Sequence, residues 1–162
     1  MLIAVTRGVS PGILHCELTH LPRVEISFEL TDEQHRGHQA ALADLGCKVV
    51  ALPADPDLPD SVFVEDTAIV LDEIAVLARP GVESRRPEVA GVARVLGQYR
   101  ALTSIEPPGT LEGGDVLHVG KAIYVGASGR TNRSGIEQLR SLVAGSGYSV
   151  KATEVKGCLQ LR

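Results

Sequence analysis

Two stretches of this chain repeat one another at an offset of about 46 residues, so that Val70-Leu71 matches Val116-Leu117. A repeat of that size restricts the fold strongly, because one such unit cannot bury its own apolar face and must pack against its neighbours. The first copy reads as a strand over about 64–71, a turn at Asp72-Glu73 and a strand over 74–79. A helix follows from Ser84 or Pro87 to Gly97, then a strand from Arg100 to Ile105. After a Pro107-Pro108-Gly109 break the second copy has strands over 115–119 and 122–126, turning at Gly120-Lys121. It continues with a helix from Thr131 to about Ala144 and a strand from Tyr148 to Thr153. Both copies are β-β-α-β. Glu65 falls close to Glu112 and Arg85 falls on Arg130, so each copy carries a carboxylate entering its first strand and an arginine entering its helix.

The sequence before residue 53 reads as a third, less regular unit. Residues 2–7 form a short apolar strand, and Pro11, Gly12 and Pro22 keep 8–30 irregular. Thr31-Asp32-Glu33-Gln34 is a capping-box sequence that opens a helix running to about Gly46. Cys47–Leu52 is a second strand, and the prolines of 53–59 make a surface loop. A length of 162 residues fits a single α/β domain, 1–162, with units near 1–52, 62–106 and 111–154.

Carboxylates concentrate where the first full repeat begins, in Pro59-Asp60-Ser61-Val62-Phe63-Val64-Glu65-Asp66. One acid there is an ordinary charged loop feeding a core strand. Three acids (Asp60, Glu65 and Asp66) beside a buried strand are costly unless a cation or several donors meet them. Closing the repeats around an axis would gather these acids with Arg85 and Arg130 at one mouth. Such a pocket is anionic on one side and cationic on the other, which suits a small zwitterion with a cationic end.

Other classes fit less well. A net charge of −4 argues against a nucleic-acid surface. No apolar run approaches a membrane span and the N-terminus reads directly as a strand, so a cytoplasmic protein is expected. Cys16, Cys47 and Cys158 follow no metal or disulfide spacing and read as packed thiols. His35 and His38 lie three apart on the first helix, in a stripe with Leu42 and Leu45. They are a possible metal pair with His15, Cys16 or His20, but more ordinarily a helix face meeting a neighbour. His118 stays unassigned.

Four motifs occur in order: Pro59-Asp-Ser-Val-Phe-Val-Glu-Asp66, Arg79-Pro-Gly-Val-Glu-Ser-Arg-Arg86, Pro108-Gly-Thr-Leu-Glu-Gly-Gly-Asp115 and Gly129-Arg-Thr-Asn132. Together they resemble the dimethylarginine dimethylaminohydrolases of the guanidino-group-modifying (amidinotransferase, or pentein) superfamily. The resemblance implies an α/β propeller of five ββαβ units, of which about three are present. It implies hydrolysis of Nω-methylated arginine to citrulline and a methylamine, with no cofactor and no metal. By motif, Asp60, Glu65 and Asp66 would lie on the substrate, with Asp60 and Asp66 holding the guanidinium. Arg85 and Arg130 would grip the α-carboxylate, Leu18 would sit in a mobile loop over the pocket, and Glu112 would be the acid of the catalytic set. A guanidinium is planar and permanently charged and so prefers carboxylates in its plane, while an α-carboxylate prefers arginine forks.

Two departures accompany the resemblance. The family's catalytic histidine lies in a Leu-His-Leu-Lys element, and the matching stretch here is Leu159-Gln160-Leu161-Arg162. Glutamine carries no group that titrates near neutral pH, so Gln160 at the histidine position cannot serve as general acid or base. The family's nucleophilic cysteine lies beyond this sequence, and Cys158, two residues from Gln160, reads as a packed thiol instead. The chain alone is therefore expected to be inactive. The alternatives are a pseudoenzyme that holds arginine analogues without turning them over, and a self-assembling open propeller. Exposed faces and strand edges of an open ring favour a homo-oligomer or a domain-swapped dimer. A different guanidine- or agmatine-modifying enzyme is the nearest alternative activity, and the paired arginines favour the amino-acid substrate.

Overall fold

In the computed structural model, which describes residues 1–18, 22–155 and 159–160, the β-β-α-β repeat is realised twice. The chain divides into two compact units, Met1–Val64 and Glu65–Arg162.

In Met1–Val64, strand β1 (Ile3–Arg7) pairs in parallel with β2 (Lys48–Leu52), Val5 lying opposite Val50, and helix α1 (Phe28–Asp44) connects them. The helix starts three residues before the expected Thr31. Ser27 supplies the cap instead, its hydroxyl accepting the Leu30 N–H, while the Thr31 hydroxyl donates back to the Ser27 carbonyl from within the first turn. No residue of α1 is fully buried. Its half-buried stripe is Thr31, Asp32, His35, Gln39 and Leu42, with Gln39 bonded to the Thr6 hydroxyl and His35, while His38 and Leu45 face solvent. Burial, followed by the neighbouring His38 charge, lowers the pKa of His35. A small core forms from Val9, Ile13 and Cys16 with Ile26, Phe28 and Val62. Cys16 is thus a packed thiol; Cys47 is only half-buried.

The first full repeat has β3 (Ala68–Val70), β4 (Ile74–Leu77), α2 (Glu88–Leu96) and β5 (Ala101–Ser104). The second has β6 (Val116–Val119), β7 (Ala122–Ala127), α3 (Arg133–Ala144) and β8 (Ser149–Glu154). Each makes a three-stranded sheet with the middle strand antiparallel to the first and parallel to the last, in the orders β3-β4-β5 and β6-β7-β8. The expected strands over 64–71 and 115–119 differ at their starts. Val64–Thr67 and Gly113–Asp115 are 3-10 turns, so the acids occupy turns that feed the strands.

The second unit shares one core, in which Ile69, Leu71 and Val76 meet Leu111, Ile123, Val125, Ile136, Leu139 and Val143. Helix α3 is positioned by Asn132, whose Oδ1 accepts both the Gly135 N–H of the first turn and the Thr110 N–H. The two hairpin turns are joined as well. Lys121 pairs with Glu73 at 2.7 Å and lies over the Tyr148 ring, while the Tyr148 hydroxyl donates to the same carboxylate at 2.9 Å. Among the described residues no helix is long and apolar enough to cross a membrane. Leu139 is fully buried at the helix–sheet contact. Leu139→Ala should therefore cost about 2–5 kcal/mol, measured as the shift of a denaturant unfolding transition.

Candidate functional site

The interior of Glu65–Arg162 holds more charge than apolar packing tolerates unaided. Asp66, Arg85, Glu88, Glu112 and Arg130 are all at least nine-tenths buried. Three carboxylates therefore face two guanidiniums, and every oxygen must find a donor.

Arg85 lies in the 3-10 turn Glu83–Arg85 that precedes α2, with Glu88 in the helix's first turn. That spacing turns both side chains to one face. Arg85 Nε and Nη2 donate to the two oxygens of Glu88 at 3.1 and 3.0 Å, a two-pronged pair, and Nη1 donates to Asp66 Oδ2 at 2.9 Å. Burial by itself lowers the Arg85 pKa. The hydrogen bonds and charges of Glu88 and Asp66 outweigh it and hold Arg85 above its ordinary value, charged at every accessible pH.

Asp66 reaches inward from its turn, and its second oxygen accepts the Gly114 N–H at 2.9 Å and the Gln160 amide at 3.1 Å. Glu112 immediately precedes the other turn and is fully buried. Its Oε1 accepts the Gly81 N–H at 3.2 Å and lies 3.4 Å from Arg130 Nη1. Its Oε2 accepts the same Gln160 nitrogen at 3.1 Å and lies 4.0 Å from Arg85 Nη1. Burial pushes the Glu112 carboxyl above the usual range. Arg130 opposes this, Asp66 adds to it, and Arg85 and the Gly81 N–H oppose it in smaller measure.

Backbone approach makes the cluster possible. A Cβ at Gly113 would overlap the Glu65 carbonyl, and one at Gly81 would stand 2.7 Å from the Arg130 carbonyl, so the turns meet main chain to main chain. Arg130 is presented by a loop knotted around Ser128, whose hydroxyl donates to Asp115 at 2.6 Å and accepts the N–H groups of Arg130 and Thr131. Thr131 in turn accepts the Glu112 N–H.

The structure thus brings Asp66, Arg85, Glu112, Arg130 and Gln160 together. Glu65, one residue from Asp66, is exposed and lines a groove of about 310 Å³ with β3 and β6 instead. Leu18 and Asp60 belong to Met1–Val64, where the buried Asp60 carboxylate accepts the Glu17 N–H on both oxygens, at 3.1 and 3.2 Å. Asp60 therefore pins the backbone just before Leu18, which is 38% exposed. Cys158 and His20 lie outside the described residues, and no cluster of three metal-ligating side chains stands among the described ones.

Sequence reasoning missed Glu88 and Gly114. Glu88 has the look of an exposed first-turn acid, and its signal is the three-residue spacing from Arg85. Gly114 has the look of a turn glycine, and its signal is the Gly113-Gly114 pair before Asp115. Glu88→Ala would leave Arg85 buried with half its counter-charge, and should cost about 3–5 kcal/mol in an unfolding measurement.

Residues 53–156 match the family model for arginine deiminase. A dimethylarginine dimethylaminohydrolase from Streptomyces coelicolor is 39% identical over 160 residues, covering 98% of this chain and 62% of that protein. Its namesake from Pseudomonas aeruginosa is 36% identical over 146 residues, covering 89% of this chain and 57% of that one. A solved structure of the Pseudomonas aeruginosa enzyme complexed with citrulline superposes with a TM-score of 0.94 at 30% identity, over 99% of this chain and 64% of that one. The chain thus spans about three-fifths of the length of these relatives. The expected pentein-type α/β fold is the fold of that structure.

Proposed function

The chain belongs to the arginine deiminase, or pentein, family that includes the dimethylarginine dimethylaminohydrolases, and on that premise we propose that it forms the substrate-binding portion of a hydrolase acting on Nω-methylated arginine. The observation that carries this reading is the convergence of Asp66 and Glu112 on a single N–H donor position, at 3.1 Å from each, with two buried arginines alongside. Two carboxylates flanking one planar nitrogen are what a guanidinium requires.

In this reading Asp66 and Glu112 take the guanidinium edge. Arg85 and Arg130 supply positive charge for the α-carboxylate, Arg85 while also fixing Asp66. Attack on the guanidinium carbon needs a thiolate, and departure of the methylamine needs a proton donor. No cysteine stands among the described residues of Glu65–Arg162, so the nucleophile is assigned outside them. Gln160, at the family's histidine position, has no group that titrates near neutral pH and so cannot serve as that proton donor. That feature favours a second reading, a chain that holds arginine analogues without turning them over. Exposed Val70, Leu117 and Val119 on β3 and β6 support self-association.

Calorimetric titration with asymmetric dimethylarginine, followed by assay of citrulline, tests these readings. Binding is expected, without citrulline from this chain alone; citrulline release would remove the second reading, and absence of binding would remove both. Asp66→Asn should weaken binding by about 1.5–3 kcal/mol, the worth of one charged hydrogen bond; an unchanged Kd would take Asp66 out of the pocket.

The pH dependence has a definite sign. Because folding raises the Glu112 pKa, the folded chain holds that proton more tightly than the unfolded one. Its contribution to stability therefore falls as pH rises from the ordinary glutamate range to the raised value, then levels off. A cationic ligand prefers the ionised form, so affinity should climb across the same window. Titrations at stepped pH would show this rise, and Glu112→Gln should flatten it.

A further inference from the structure

The Gln160 side chain makes the contacts that a ligand's terminal nitrogen would make. Its Nε2 lies 3.1 Å from Asp66 Oδ1 and 3.1 Å from Glu112 Oε2. Ionised carboxylates only accept hydrogen bonds, so the amide must present its nitrogen to them, with one N–H for each acid. A primary amide is planar, and its two N–H bonds diverge in that plane much as those of a guanidinium NH2 do. It differs in carrying no charge.

The berth for this side chain is built into the fold. A Cβ at Gly114 would overlap the Oε1, Cδ and Nε2 atoms of Gln160. Gly114 does not adopt a left-handed conformation, so space alone calls for glycine there. Its N–H meanwhile donates to the same Asp66 oxygen that Gln160 uses. Side chain 160, the glycine beneath it and the acid pair therefore form one fitted arrangement.

We infer that Gln160 is an internal stand-in for a guanidinium, satisfying Asp66 and Glu112 with a neutral amide and competing with any cationic ligand for that place. The neutral stand-in leaves Asp66, Glu88 and Glu112 with only Arg85 and Arg130 among them, a shortfall of positive charge that an incoming cation reduces. The competition is thus biased toward exchange rather than permanent blockade, and its strength sets the apparent affinity of the pocket. This rests on the binding reading above for the identity of the ligand, though not for the contact itself.

Two measurements on the 162-residue chain separate the possibilities. The first follows hydrogen exchange of the Gln160 side-chain amide by NMR of the nitrogen-15-labelled protein. Slow exchange is expected, becoming fast in Gly114→Ala, whose methyl group fills the berth. Solvent-like exchange in the unaltered chain overturns the inference. The second compares calorimetric affinities for asymmetric dimethylarginine between the chain and Gln160→Ala. The variant should bind about tenfold or more tightly, since the ligand no longer displaces bonds to charged groups. Equal or weaker binding by the variant would make Gln160 part of the ligand's surface and overturn the competition. If neither protein binds but exchange is slow, the stand-in remains supported and the binding reading falls.

Discussion

A buried arginine tied to two carboxylates underlies everything else in the larger unit. Arg85 bonds to both oxygens of Glu88 and to Asp66, all three side chains sealed from water. Burying an ion pair is costly, and the cost is offset only where geometry is close to ideal and the leftover lone pairs find donors. Here they do, because Asp66 passes its second oxygen to the Gly114 N–H. The result is a carboxylate held on one oxygen by Arg85, from the turn before α2, and on the other by the Gly114 N–H of the Gly113–Asp115 turn.

The two copies of the repeat use equivalent positions differently. Arg85 and Arg130 both stand before a helix, yet Arg85 is clamped by a carboxylate from its own helix while Arg130 is set by a hydroxyl knot around Ser128. Glu65 and Glu112 occupy matched places, yet the first is exposed and the second fully buried. The inward role in the first copy passes to the next residue, Asp66. Pseudo-symmetry thus supplies the gathering of charge, and its local breaking sets each arginine against the carboxylates by a different device.

Much of this was legible in the residues. The 46-residue offset implied paired β-β-α-β units, and six strands and two helices follow that pattern among the described residues. Proline, glycine and the Asp72-Glu73 and Gly120-Lys121 turns placed most boundaries, because backbone restrictions there are local. What escaped was non-local. Thr31 carries a capping-box sequence, yet the helix is capped by Ser27, and Thr31 bonds back to the Ser27 carbonyl from within the first turn. The strands expected at 64 and 115 yield to 3-10 turns because Asp66 must reach a backbone N–H 48 residues away. Glu88 has the sequence character of a solvent-facing acid, and only the folded position of Arg85 buries it.

The joined hairpin turns carry a further consequence. Glu73 receives the ammonium of Lys121 and the hydroxyl of Tyr148, and Lys121 also caps the Tyr148 ring. One turn therefore supplies the acceptor while the next repeat supplies both of its donors. A change of charge at residue 73 strands two partners at once, and a change at 121 strands an acid and uncovers a ring. Substitutions at these surface turns are therefore coupled across the two repeats, so that the effect of a change at one tip depends on the residue at the other.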